Sequence, residues 1–162
     1  HRGATQWPPS GQPVSIFSTK LTKSKIVQVI HSHSKKDTLR GIHFQYPHLQ
    51  GKLVSVIQGK IFDVTVDIRK NSPTFRKWCG VFLDSKKKKQ LWIPKGFGHG
   101  YLVISKTVDI IYKCTQKYYP DNQKRIIWND PSIKIKWPIE KPILYKKDSS
   151  AATLKENKQL PK

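Results

Sequence analysis

The chain contains no methionine, so His1 is not a translation start; the expectation is a processed or trimmed product whose N-terminal residues are missing. Cysteine is scarce as well. Cys79 and Cys114 each stand inside an apolar stretch, which reads as two buried thiols in a reducing, cytoplasmic compartment rather than a disulfide. No apolar run approaches the roughly 20 residues of a spanning helix, so no membrane role is expected. No signal-peptide pattern opens the chain. Acidic residues are few: ten Asp+Glu face thirty-one Lys+Arg, a formal net charge of +21. That balance suggests either nonspecific, salt-sensitive contact with polyanions or a heavily solvated lysine surface. Lysine dominates and is spread along the chain, whereas specific nucleic-acid modules interleave arginine and aromatics on one face. Helical periodicity is hard to find before residue 140.

What the chain does have is a succession of short β-branched or aromatic runs separated by turn residues. They fall at 26–31, 38–45, 52–57, 60–68, 77–83, 90–93, 99–104 and 107–114. Such spacing predicts an all-β sandwich or barrel. The 162 residues suffice for one domain, with 1–24 and 149–162 peripheral and the tail irregular or a short helix. Gln58-Gly59, between two alternating runs, predicts a two-residue hairpin. In that register Lys52, Val54 and Val56 share a face with Ile61, Asp63 and Thr65, and Lys52 becomes a diagonal neighbour of Asp63. A lysine pointing inward beside a carboxylate is costly and needs a reason. On the preceding run, alternation separates Leu39, Gly41, His43 and Gln45 from Arg40, Ile42 and Phe44; a bulge at Gly41 would bring Arg40 to the His43 side.

Pro94-Lys95-Gly96-Phe97-Gly98-His99 matches one half of the pattern of cupin barrels. The ligands of a metal-holding cupin are not there. His43-Phe44-Gln45 stands where an H-x-H is needed, and no Glu follows before Glu140. His31-Ser32-His33 has no carboxylate at suitable spacing along the chain. No metal and no cofactor is expected.

Six blocks in order then carry a resemblance. They are LRGIHFQ at 39–45, QGKLVSVIQGKIFDVTVDIR at 50–69, SPTFRKW at 72–78, QLWIPKGFGHGYLV at 90–103, YKCTQKYY at 112–119 and IIWNDPSIKIKWP at 126–138. With them the chain resembles the dTDP-4-dehydrorhamnose 3,5-epimerases, metal-free cupins that act on a dTDP-linked keto sugar. The resemblance implies a cupin-type β-barrel (jelly roll), a homodimer, and cofactor-free proton abstraction next to a C4 ketone. It implies His43 as general base, Asp148 as the carboxylate that orients it, and Tyr112 as the acid on the other face. It implies Lys52 as the cation beside the C4 oxygen, with Asp63 supporting Lys52. Arg40, Gln28, Gln45, His99 and Arg2 match substrate-contacting positions. Some positions depart from the family. Ile30 stands where the family has an asparagine, Arg2-Gly3-Ala4-Thr5 is all that matches its RGFF segment, and Tyr145 replaces a serine. Three other readings fit the same residues: a single-centre epimerase or ketoisomerase, a non-catalytic cupin, and a polyanion-binding protein.

Overall fold

The computed structural model describes residues 24–162. Arg2 and the other residues of 1–23 lie outside them. Ten strands follow in order: β1 (Gln28–Lys35), β2 (Thr38–Gln45), β3 (Lys52–Gln58), β4 (Lys60–Asp67), β5 (Trp78–Asp84), β6 (Gln90–Ile93), β7 (Phe97–Val103), β8 (Thr107–Cys114), β9 (Gln123–Arg125) and β10 (Ile143–Leu144). A single helical turn, α1 (Lys146–Ser149), comes after β10. The small sheet runs β1-β8-β3-β6; the large one runs β10-β2-β7-β4-β5, with β9 also paired to β2. The two form a sandwich, as the alternating runs predict, and its jelly-roll form is the one that the resemblance implies.

Alternation explains the layers. Val54, Val56, Val108 and Ile110 of the small sheet meet Ile61, Tyr101 and Val103 of the large sheet in the inner core. The large sheet buries its other face too. Leu39, Ile42, Phe44, Phe62, Val64 and Val66 pack there against Ile126, Ile133, Leu154 and Leu160. Burial on both faces leaves every residue of β4 after Lys60 buried, Asp63, Thr65 and Asp67 included. Residues 149–162, set at the periphery by the sequence, thus contribute Leu154 and Leu160 to a packed layer. Asp130 ties that tail down: its carboxylate accepts the backbone N–H of Ser132 at 2.8 Å, of Ile133 at 3.1 Å and of Leu154 at 2.7 Å.

The hairpin at Gln58-Gly59 does not form. β3 pairs with β6 and β8, whereas β4 pairs with β5 and β7, so Gly59 turns the chain from one sheet into the other. Gly59 has φ +88°, and a Cβ there would lie 2.3 Å from the Thr107 carbonyl oxygen. The face assignment survives the loss of the pairing. Val54, Val56 and Ile61 still share one core, because the even positions of β3 and the odd positions of β4 both point inward across the sandwich.

β2 changes phase midway. Its pairing with β7 shifts register between Arg40 and His43. Leu39 lies on the outer layer with Ile42 and Phe44, while Arg40, His43 and Gln45 reach the inner cavity. Gly41 permits this: at φ +117°, a Cβ would sit 2.6 Å from both Gly100 Cα and the His99 carbonyl oxygen.

Candidate active site

The sandwich opens at one end into a cavity of about 650 Å³ whose walls include His43, Lys52, His99, Tyr112 and Asp148. Residues more than a hundred positions apart meet there because β2 lies between β7 on one side and β9 and β10 on the other. The β2–β7 and β2–β9 ladders place His99, His43 and Arg125 side by side across the large sheet. On the small sheet, the β3–β8 ladder puts Lys52 opposite Cys114 and Val54 opposite Tyr112. His43 and Tyr112 therefore stand on facing walls.

α1 follows β10 directly and delivers Asp148, which is 1% exposed. Its Oδ1 lies 2.7 Å from His43 Nε2, and its Oδ2 accepts the Gly41 N–H at 3.3 Å. An ionised carboxylate only accepts, so His43 carries its proton on Nε2 and keeps a free lone pair on Nδ1. Burial holds the His43 imidazole below the ordinary histidine value, against the opposite pull of Asp148, while Lys52 and Arg125 add to the lowering. The ring is thereby neutral near pH 7. Burial alone would raise the Asp148 carboxyl, but the hydrogen bond and charge of His43 outweigh it, and the Gly41 N–H and Arg125 help keep it below the usual carboxylate range.

A second histidine–carboxylate pair lies deeper. His99 Nε2 is 3.0 and 2.9 Å from the two oxygens of Asp63, and both residues are buried. Asp63 thus gives its oxygens to His99 instead of holding Lys52 as the hairpin register implied. It stays close enough to act on Lys52 through its charge. Burial lowers the Lys52 pKa, and Cys114 and Asp63 pull the other way. Tyr112 stands edge-on to His99, with ring centroids 5.9 Å apart. Burial lifts its phenol well above the ordinary tyrosine range, and the neighbouring Tyr101 and Asp63 add to that. Tyr112 is thus a neutral O–H donor at physiological pH.

Other expected contacts fall out differently. Arg40 and Gln45 are on the cavity wall, but the Gln45 amide is spent on the backbone: it donates to the carbonyls of His48 and Lys117 and accepts from Tyr119 N–H. Gln28 is not on that wall; its Oε1 accepts the Tyr118 N–H at 2.6 Å. Ile30 lines the cavity opposite Tyr112 in the β1–β8 ladder. His31 and His33 both contact Asp109 Oδ1 on the outer face of the small sheet, a carboxylate supplied by β8 and not by the local sequence. Among the described residues, no group of three His, Cys, Asp or Glu side chains is arranged to hold a metal ion.

Arg125 is a residue that the sequence reading missed. Its Nε lies 3.2 Å from Asp148 Oδ1, and its terminal nitrogen donates to Gln123 Oε1 at 3.0 Å. β9 (Gln123–Arg125) is three residues long, too short for alternation to have marked it as a strand in the sequence.

Residues 14–156 match the family profile described as dTDP-4-dehydrorhamnose 3,5-epimerase. The chain is similar to the dTDP-4-dehydrorhamnose 3,5-epimerase of Neisseria gonorrhoeae, 46% identical over 138 residues that make up 85% of this chain and 42% of that protein. It is 50% identical over 127 residues to the Shigella flexneri protein of the same name, covering 78% of this chain and 70% of that one. It therefore spans less than half the length of the first relative. In three dimensions it is similar to the dTDP-6-deoxy-D-glucose-3,5-epimerase of Legionella pneumophila, a structure in complex with dTDP-4-keto-L-rhamnose. The TM-score is 0.84 at 45% identity, covering 87% of this chain and 77% of that one.

Proposed function

The chain belongs to the dTDP-4-dehydrorhamnose 3,5-epimerase family, and from that premise we propose that its cavity epimerises a dTDP-linked 4-keto-6-deoxy sugar at C3 and C5. The observation that carries this reading is the placement of a neutral imidazole and a neutral phenol on facing walls, with a lysine beside them. Inverting a carbon requires a proton to leave from one face and another to arrive from the opposite face.

His43 Nδ1 takes the proton from the carbon next to the C4 ketone, and the C–H electrons move onto the C4 oxygen to form an enolate. The Lys52 ammonium stabilises the charge that develops there, a contribution that exists in the transition state and not in the ground state. Tyr112 then gives its proton to the same carbon from the other side. Solvent restores Tyr112 and removes the proton from His43. Protons next to a ketone are acidic enough for this chemistry without a cofactor or metal, and both histidines are already held by carboxylates. Arg40 on the wall suits the diphosphate, since a guanidinium fork matches phosphate oxygens.

The remaining assignments follow the same reading. A homodimer is supported by Val29 and Ile57, 61% and 56% exposed on the outer face of the small sheet. The high positive charge favours salt-sensitive contact with polyanions. Two free, buried thiols fit a cytoplasmic protein, and no helix among the described residues is long and apolar enough to cross a membrane.

The test is solvent-deuterium incorporation into dTDP-4-keto-6-deoxyglucose, followed by proton NMR. Exchange at both C3 and C5 is expected. Exchange at one centre alone makes the protein a single-centre epimerase, and nucleotide binding without exchange makes it a non-catalytic cupin.

A further inference from the structure

Asp148 serves two basic partners at once. The oxygen that meets His43 Nε2 at 2.7 Å also lies 3.2 Å from Arg125 Nε. That Nε is buried and has no aligned hydrogen bond, so the contact is an ion pair and Asp148 is its counter-charge. The guanidinium is held from its far end by Gln123 Oε1, and the Arg125 side chain is 24% exposed. β9 fixes the geometry, because Arg125 is the ladder partner of His43 itself.

An arginine stays charged at any pH at which a protein is folded. Asp148 is therefore already neutralised by Arg125 before His43 takes up a proton. The imidazolium that forms in the reaction finds half of a counter-ion rather than a whole one, with a guanidinium close behind it. We propose that Arg125 is a positioning residue that sets how strong a base His43 is, by sharing Asp148 with it. The inference rests on the reading of His43 as the base, and it adds a residue of the cavity wall that acts on His43 through Asp148.

The other groups around His43 define what the effect must be measured against. Asp148 comes from α1, Arg125 from β9, Lys52 from β3 and His99 from β7, with Arg40 on the same strand and Tyr112 and Cys114 on the facing β8. Asp63 stands behind His99 and bonds to it. Of these, Asp148 raises the His43 pKa while Lys52 and Arg125 lower it, after burial as the largest cause. Arg125 thus reinforces the direction set by burial and keeps the imidazole unprotonated further into acid. The consequence is a weaker base that remains available at lower pH.

The experiment uses the full chain and three variants, Arg125→Gln, Arg125→Met and Arg125→Lys. The first readout is the titration midpoint of the His43 ring by NMR in the ligand-free protein, which needs no activity. The second is the acid limb of kcat/KM for the dTDP-keto sugar. Arg125→Gln is expected to move both midpoints upward together by about one pH unit, the size that loss of one nearby charge produces. Arg125→Lys should return them to the parent value. Arg125→Met, which buries no polar group, gives the same reading if the glutamine variant does not fold. An unmoved His43 midpoint in a folded, uncharged variant overturns the proposal, as does a lysine variant that behaves like glutamine. If the NMR midpoint moves as expected but the parent protein exchanges no substrate protons, the control of His43 by Arg125 stands and the epimerase reading falls.

Discussion

Replacing Asp148 by asparagine changes one charge and almost no volume, and the surroundings of the carboxylate make the outcome calculable. All three of its neighbours are donors: His43 Nε2 at 2.7 Å, Arg125 Nε at 3.2 Å and Gly41 N at 3.3 Å. An amide has one accepting oxygen and one donating NH2, so it cannot satisfy both ends of this set. With the oxygen toward His43, the NH2 faces the Gly41 N–H. With the NH2 toward His43, the ring must move its proton to Nδ1, which removes the lone pair that accepts the substrate proton. The charge-assisted bond to the imidazolium is worth about 1.5–3 kcal/mol, or roughly tenfold to a hundredfold in rate on its own. The tautomer change brings the loss to about 10²–10⁴-fold, the range that a general base contributes. Arg125 also loses its counter-charge, and breaking such a pair costs about 3 kcal/mol, which lowers Tm by roughly 6–12 °C in a domain of this size. The assay is deuterium incorporation at C3 and C5 below the melting temperature, with thermal unfolding in parallel. A variant that exchanges protons within a few-fold of the parent rate would refute the role of the carboxylate, whatever its Tm.

Three further outcomes are expected. Lys52→Gln should lower kcat by about 10²–10³-fold while leaving the calorimetric affinity for dTDP nearly unchanged, because the charge acts on the enolate oxygen; an equal loss of nucleotide affinity would place Lys52 on the nucleotide instead. Ile30→Asn adds an amide to the cavity wall and should tighten dTDP about tenfold and make its binding less salt-dependent, measured by calorimetry at low and high salt. Acid stability follows from Asp148, Asp67 and Asp130, whose carboxyls are all lowered: burial opposes each, but His43 holds Asp148, Arg69, Ser72 and Thr74 hold Asp67, and Ser132 and the Leu154 N–H hold Asp130. Each contributes stability that is present above the unfolded value near ~3.9 and is lost as pH falls through the lower folded value. Urea midpoints should drop steeply below about pH 4, and Asp130→Asn should lose stability at neutral pH while flattening that drop; a wild-type profile level down to about pH 2 would contradict the argument.

The strands were legible because a half-buried strand writes its faces into every second residue. The run expected at 60–68 is β4 (Lys60–Asp67), and that at 107–114 is β8 (Thr107–Cys114). Alternation says which way a side chain points and nothing about which strand lies beside it. Lys52 and Asp63 were rightly turned toward one interior, yet the hairpin was wrong and with it the partner of Asp63, which is His99. β9 and β10 have three and two residues, too few to show any period, so the edge that brings Arg125 to His43 was invisible. Leu154 and Leu160 sit in a polar tail whose apolar residues are too sparse to reveal the layer they cover. His43, Tyr112 and Lys52 were reached through their blocks of neighbouring residues, and Asp148 through the family resemblance beyond them; their meeting in one cavity is a property of the folded chain.

The two halves of the His43–Asp148 pair are 105 residues apart in the chain, and the carboxylate arrives on the helical turn that follows β10. A ribosome making this protein releases every strand of both sheets before it releases Asp148. At about 5–20 residues per second, several seconds separate the emergence of the histidine from that of its partner. Until Asp148 is released, the His43 ring lacks the acceptor that holds its proton on Nε2, while Lys52 already has the charge of Asp63 near it. Order of synthesis therefore leaves the imidazole free to carry its proton on either nitrogen until the turn after β10 arrives, and chains ending just short of residue 148 should exchange substrate protons far more slowly than the full chain.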